Sequence, residues 1–235
     1  MLAAASEADR QRIARIVAEV LRDRFAPGQA EPSPLVVNIS VRHMHITQEH
    51  LEVLFGPGAE LTPARRLYQE GQFAAEQTVD LVGPKRRMLH AVRILGPLRP
   101  HSQIELAFSD AIMLGIDVPV RVSGNTDGTP GCIVMGPKGH LLLDKGIIRA
   151  QRHIHMSPAD AAHYGVKPGE TMELVIDHPT CPVTLGGVMV RVDPRYKLEV
   201  HIDSDEGNAC DLPGAMALRL KGRADAPIGQ ESKRG

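Results

Sequence analysis

The sequence predicts a mainly β protein: two small packed β-barrels with short capped helices, preceded by an N-terminal amphipathic helix and a linker. Three observations predict it. From Leu35 onward the chain is a succession of short, β-branched runs broken by Gly and Pro, the pattern of a barrel or sandwich. The unit Arg-His-apolar-His-apolar-hydroxyl occurs twice, as "RHMHIT" (Arg42 to Thr47) and "RHIHMS" (Arg152 to Ser157), so the β region reads as two related halves. The opening segment has helical rather than strand rhythm, and a Pro-rich stretch follows it.

Taken in order, residues 1–25 form the amphipathic helix. Ile13, Ile16, Val17, Val20 and Leu21 lie on one stripe, with Ser6 and Asp9 spaced as an N-cap and capping box. That stripe has two readings: it packs on its own domain, or it docks into a groove on a partner. Residues 26–34, "APGQAEPSP", are a linker by composition. The strands then read "LVVNIS", "QTVDLVG", "MLHAVRILG", "SQIELAFS", "DVPVRVSG", "CIVMG", "HLLLDKG", "TMELVID", "PVTLGGVMVRV" and "KLEVHIDS". Two helices interrupt them, one after each His pair. Thr47 caps "QEHLEVLF", and Ser157 caps "PADAAHY" with Pro158 first and Asp160 closing the box; Gly56 and Gly165 stop them. The duplication thus covers strand, His pair, capped helix and glycine stop. It sets the first barrel half at 35–127 and the second at 128–220, with strands free to interleave, Leu35 to Ser40 pairing into the second half. Residues 221–235 are a polar tail.

Composition narrows the function classes. A formal net charge of −1, an aromatic share of 3% and no Trp argue against a base-stacking nucleic-acid binder. Cys132, Cys181 and Cys210 are scattered and odd in number, which fits a reducing compartment. No apolar run suits a membrane span and the N-terminus lacks an apolar signal core, so the expectation is a cytoplasmic protein with no membrane partner.

The doubled histidines carry the chemistry. In a strand, i and i+2 share a face, so His43 projects with His45 and His153 with His155, about 7 Å apart at Cα. One His-x-His is more often a chance surface pair; two copies in duplicated settings favour metal. The third ligand comes from another strand. "KLEVHIDSDE" supplies His201, and aligning it with "SQIELAFSDA" sets Glu105 against it. The prediction is two zinc sites, His43, His45 and Glu105 at one, His153, His155 and His201 at the other, each with an open fourth position as in catalytic zinc. Co²⁺ or Ni²⁺ suits the same imidazoles. His50, His90, His101, His140, His163 and His178 lack such pairing and read as ordinary.

Arg99, stiffened between Pro97 and Pro100's side of "GPLRPHSQIE", lies six residues before Glu105. It either grips a phosphate or carboxylate with its planar fork or forms a surface salt bridge. "RVSGNTDG" offers the Ser123 hydroxyl and a Gly-rich turn for an anion. Neither a phosphate-binding Gly-rich loop with Lys nor a dinucleotide fingerprint occurs.

These segments, "VRHMHIT", "GPLRPHSQIE", "RHIHMS" with "ADAAHYGVKPGE", and "LEVHIDSDEGNA", resemble the PduL-type phosphate propanoyltransferases, the phosphotransacylases of bacterial microcompartments, over roughly Leu35 to Leu220. The resemblance implies two packed barrels, two zinc ions, coenzyme A or acyl-CoA and phosphate as ligands, and a homodimer. It implies the same two triads as zinc ligands, Arg99 as the essential phosphate-binding arginine and Ser123 as a phosphate contact. It also implies that the N-terminal helix is an encapsulation peptide that docks on shell or lumen proteins of a microcompartment. The activity expected is reversible transfer of a short acyl group such as propanoyl between coenzyme A and phosphate. Two competitors stand beside it. A zinc-dependent hydrolase or hydratase, thioesterase or carbonic-anhydrase-like, needs only one metal and leaves the doubled pair unexplained. A metal-stabilised adaptor would dock through its N-terminal helix.

Overall fold

Strand faces follow from period-two patterning, and the sheets they build follow from which strands meet. The computed structural model describes residues 33–222; the expected N-terminal helix, nearly all of the linker and most of the polar tail lie outside the described residues. Two sheets account for the strands. The first holds β2 (His43–His45), β3 (Pro63–Arg66), β4 (Phe73–Val82), β5 (Met88–Gly96), β6 (Gln103–Glu105), β7 (Val120–Arg121), β8 (Cys132–Met135), β9 (His140–Leu143) and β10 (Ile147–Ala150). Its order is β7-β10-β6-β2-β5-β4-β8-β9, with β3 on β4. The second holds β1 (Val36–Ser40), β11 (His153–Met156), β12 (Thr171–Asp177), β13 (Val183–Val192), β14 (Glu199–Asp203) and β15 (Ala217–Gly222), ordered β1-β14-β11-β13-β12-β15. Both sheets curl into half-barrels, so the chain is mainly β with two barrel-like halves.

The sheets do not divide at residue 127. Strand β1 joins the second sheet, parallel to β14, while β2 begins three residues later in the first. Reciprocally, β10 joins the first sheet, parallel to β6, and β11 follows in the second. Strands β8 and β9 also belong to the first sheet. The leading strand of each repeat is therefore exchanged, and the dipeptides Val41-Arg42 and Gln151-Arg152 make the crossings. A strand pattern fixes which face is buried but not which neighbour it pairs with, so a linear boundary could not show this. β15 runs to Gly222, past the expected start of the tail.

Both helices after the His pairs form as expected. In α1 (Gln48–Phe55) the Thr47 hydroxyl accepts from the His50 N–H at 3.2 Å. In α3 (Pro158–Tyr164) Ser157 and Asp160 complete a capping box. Gly165 ends α3 in the left-handed conformation at φ 64°, whereas Gly56 ends α1 at φ 105°, outside it but still a glycine conformation. Two further helices follow the third-ligand strands. The run "SQIELAFS" stops being strand at Glu105, and α2 (Phe108–Leu114) begins; α4 (Ser204–Ala209) follows β14, capped by the Asp203–Glu206 box. Helices of 6 and 7 residues are too short to show a 3.6 period.

Each half has its own core. Met44, Ile46, Leu81, Ile94, Ile104 and Ile147 anchor the first; Ile154, Met156, Leu174, Val188 and Val200 anchor the second. Met44 and Ile154, which sit between the paired histidines, are both 0% exposed, so the intervening side chain of each motif fills core while its buried neighbours point to the opposite face of the strand. Among the described residues no helix is long and apolar enough to cross a membrane.

Candidate metal-binding active site

Strand period and register build the site together. His43 and His45 lie on one face of β2 with ring centroids 5.0 Å apart; His153 and His155 do the same on β11, also at 5.0 Å. In the antiparallel pair β2–β6, His43 lies opposite Glu105 and His45 opposite Gln103. In β11–β14, His153 lies opposite His201 and His155 opposite Glu199. Cross-strand neighbours on one face are within side-chain reach, so each His pair acquires a third group. In both triads, His43, His45 and Glu105, and His153, His155 and His201, the ligand atoms lie within 4.8 Å of one another.

The tautomers are set from behind. His43 Nδ1 lies 2.8 Å from the Val41 carbonyl and His153 Nδ1 2.9 Å from the Gln151 carbonyl. A carbonyl only accepts, so Nδ1 carries the proton and the Nε2 lone pair faces the cluster, the backing that metal-ligating histidines need. Both carbonyls belong to the crossing dipeptides of the strand exchange. Burial above all, then His43 and Arg99, lowers the His45 pKa to about 3; burial, then His201 and His153, lowers His155 to about 2. His153 is lowered too, by burial and then His201. Burial works to raise Glu105, but His43, His45 and the Ser123 hydroxyl outweigh it and hold the carboxyl below its ordinary value. Neutral imidazoles and an ionised carboxylate are the forms that bind a cation. The fit goes further: His45 Nδ1, both ring nitrogens of His155 and His201 Nε2 are buried without a hydrogen-bond partner. Buried polar atoms left unpaired are uncommon, and a divalent ion such as zinc would take the lone pair of one nitrogen on each ring.

A buried arginine and a serine stand beside the first triad. Arg99 donates its backbone N–H to the Ile46 carbonyl at 3.0 Å, and its guanidinium approaches Ser123 Oγ at 3.4 Å. Ser123 Oγ donates to Glu105 Oε1 at 2.9 Å; Gln103 Nε2 donates to the same oxygen at 2.7 Å and to Ser123 Oγ at 2.9 Å. The Gly124 N–H fixes Gln103 in turn, at 2.7 Å. Burial, and after it Arg191, lowers the Arg99 pKa against the pull of Glu105, but an arginine stays charged at any ordinary pH. Both triads, Arg99 and Ser123 line one cleft of about 870 Å³, with Arg93 and Arg191 adding charge to its wall. That volume is in the range of substrate and cofactor sites.

All eight residues singled out in the sequence line this cleft or, for Arg99 and Ser123, its first-triad side. Of the unpaired histidines, His50 bonds Ser102 and His178 faces Asp211, whereas His90 reaches the cleft wall. The sequence reading overlooked Gln103, Glu199, Asn38, Gln69, Arg191 and Tyr196. The i and i+2 rule would have found the first two, each two residues before a proposed ligand. Tyr196, stacked on His155 at 4.2 Å, and Arg191, opposite His155 on β13, depend on pairing that no local pattern reveals.

Fold and cleft together define a mainly β enzyme in which two His-rich clusters and an arginine face one cavity. The family model for phosphate propanoyltransferase matches residues 36–213. The chain is 53% identical over 222 residues to the phosphate propanoyltransferase of Planctopirus limnophila, covering 92% of this chain and 91% of the relative. It is 46% identical over 192 residues to that of Thermotoga maritima (82% and 90%), and 44% over 209 residues to that of Klebsiella pneumoniae (89% and 96%). The chain belongs to the phosphate propanoyltransferase family and is an acyltransferase.

Proposed function

We propose that the chain transfers a short acyl group, propanoyl by the relatives' names, reversibly between coenzyme A and inorganic phosphate at a two-zinc centre formed by His43, His45 and Glu105 and by His153, His155 and His201. The observation that carries this reading is the convergence of both triads, with their unpartnered buried nitrogens, on the cleft that holds Arg99. Phosphate is already anionic near neutral pH and needs no strong base. Arg99 grips two of its oxygens and Ser123, turning its one hydroxyl hydrogen from Glu105, donates to a third, bringing a phosphate oxygen up to the thioester carbonyl carbon. The new C–O bond forms, the C–S bond breaks, and coenzyme A leaves as a thiolate that takes a proton from solvent. Zinc bound at the triads would add Lewis acidity and a soft partner for sulfur. The dry, cationic wall does the rest, since fixed positive groups are strongest where negative charge develops away from water.

The test is consumption of acyl-CoA with and without phosphate, in wild type and Arg99→Ala. Wild type should depend on phosphate, and the variant should lose on the order of 10²–10³-fold in turnover, the usual cost of removing one such charge-stabilising group. Equal thioester consumption without phosphate would instead identify a thioesterase.

The same reading extends to assembly. It makes residues 1–25 an encapsulation tag docking on microcompartment shell or lumen proteins, and the working form a cytoplasmic homodimer. The apolar stripe and the linker that follows it support this. Deleting residues 1–30 should leave turnover intact and abolish co-localisation with the compartment; loss of turnover with localisation preserved would reverse the assignment.

A further inference from the structure

The two clusters differ in a way their shared plan does not require. Position for position, Gln103 and Glu105 of β6 correspond to Glu199 and His201 of β14, because each pair faces the two histidines of its half. The first cluster has its carboxylate opposite the first histidine. The second has an imidazole there, and a carboxylate opposite the second.

Glu199 is only 2% exposed, and among the described residues no Lys or Arg pairs with it. Its two oxygens accept from amides that cannot accept in return: Asn38 Nδ2 on the exchanged strand β1, and Gln69 Nε2 at 2.6 Å from the turn between β3 and β4. Both oxygens therefore act as acceptors, as in the ionised form. Gln69 is itself clamped, donating to the Lys197 carbonyl at 3.0 Å and accepting from the Lys197 N–H at 3.1 Å. Glu199 Oε2 then lies 3.2 Å from His201 Nε2, close enough for electrostatic attraction but without hydrogen-bond geometry, while His201 Nδ1 is 3.2 Å from Ser40 Oγ on β1. A buried carboxylate held by neutral amides alone lacks a compensating charge. A divalent ion in a cluster of three neutral imidazoles lacks one of the opposite sign.

We propose that Glu199 is a positioning residue for the second cluster: locked by Gln69 and Asn38, its carboxylate stands beside His201 Nε2, holds that ring by attraction and balances the charge of a cation held by His153, His155 and His201. This rests on the two-metal reading above. Each cluster then contains one buried carboxylate, Glu105 as a direct ligand in the first and Glu199 beside the His201 ligand nitrogen in the second. Gln69 also ties that charge to the turn that lines the cleft beside Tyr68.

The experiment titrates Co²⁺ into the full-length chain carrying His43→Ala, which leaves only the second cluster complete, and reads visible absorption and affinity. Adding Glu199→Gln should weaken Co²⁺ binding by about 10–100-fold, the usual effect of removing a partner behind a metal ligand, and should shift the Co²⁺ bands. Glu199→Asp should recover part of the loss. A purely structural role would lower the melting temperature while leaving affinity and spectrum unchanged, and that result overturns the proposal. Should Glu199→Gln fail to fold, Gln69→Met decides: it keeps the carboxylate but frees it to turn, so unaltered Co²⁺ affinity and bands there overturn the proposal equally. If neither wild type nor the His43→Ala chain binds Co²⁺, the two-metal reading fails first, and the role of Glu199 falls with it.

Discussion

At the scale of single residues, the site depends on side chains that do two jobs. Ser123 donates to Glu105 and also meets the Arg99 guanidinium, so it links a proposed metal ligand to the proposed phosphate-binding arginine. Arg99 is held by its own backbone bond to Ile46, next to His45. Its fork geometry is the reason Arg99→Lys should rescue only part of what Arg99→Ala loses, with the residual defect in the KM for phosphate, since an ammonium cannot bind two oxygens in parallel. Full rescue by lysine would reduce the role of Arg99 to charge alone. Much at this scale was legible in the sequence. His-x-His pairs in duplicated settings, and the alignment of Glu105 with His201, use only the period of a strand. The same rule applied two residues back would have exposed Gln103 and Glu199. Arg191 and Tyr196 come from partner strands and loops, and no spacing announces them.

At the scale of elements, caps and strands differ in how much the chain states locally. The Ser157–Asp160 box is written in four consecutive residues and forms as written, with Ser33 also donating to Asp160 at 2.9 Å. Burial tends to raise the Asp160 carboxyl, but the bonds from Ser157 and Ser33 lower it overall. A depressed carboxyl contributes stability that is present above its unfolded pKa and is lost as pH falls through the folded value. Asp160→Asn should therefore destabilise the protein by about 0.5–2 kcal/mol near pH 7. The difference from wild type should start to shrink below about pH 4, where the aspartate begins to protonate in the unfolded chain, and vanish once pH falls below its lower value in the folded protein. Urea melts at the two pH values check this; a gap that widens in acid would contradict the sign. Strand exchange is the opposite case. The pairing of Leu35 to Ser40 into the second half forms as expected in β1, but nothing in "IIRA" says that β10 crosses in return, because pairing is decided by register between distant segments. The short helix α2 was hidden for a different reason, since Ile104 and Leu106 continue the strand alternation up to its first turn.

At the scale of the whole molecule, the halves are joined where the chemistry is. Arg149 of β10 reaches Asp203 and Glu206 at the cap of α4, the latter at 2.6 Å, and Arg152 adds a second bond to Glu206 at 2.7 Å. Arg42 makes the matching contact to Asp110 in α2 at 3.0 Å, and Ser109 donates its N–H to Asp205 at 2.9 Å across the seam. These bonds flank the strands that carry Glu105 and His201, so the separation of the two clusters is fixed by the same seam that joins the half-barrels. The exchange of β1 and β10 puts one strand of each repeat beside the other repeat's third-ligand strand. The duplication is therefore a single interlocked site, not two copies side by side. Under the proposed two-metal reading, both triads must hold a metal for acyl transfer to phosphate. The most direct test is elemental analysis paired with acyl-CoA and phosphate turnover, before and after chelation and again after zinc is restored. Two ions per chain, activity lost with them and regained on zinc addition, is the predicted result; full turnover from protein verified to hold neither ion would contradict it.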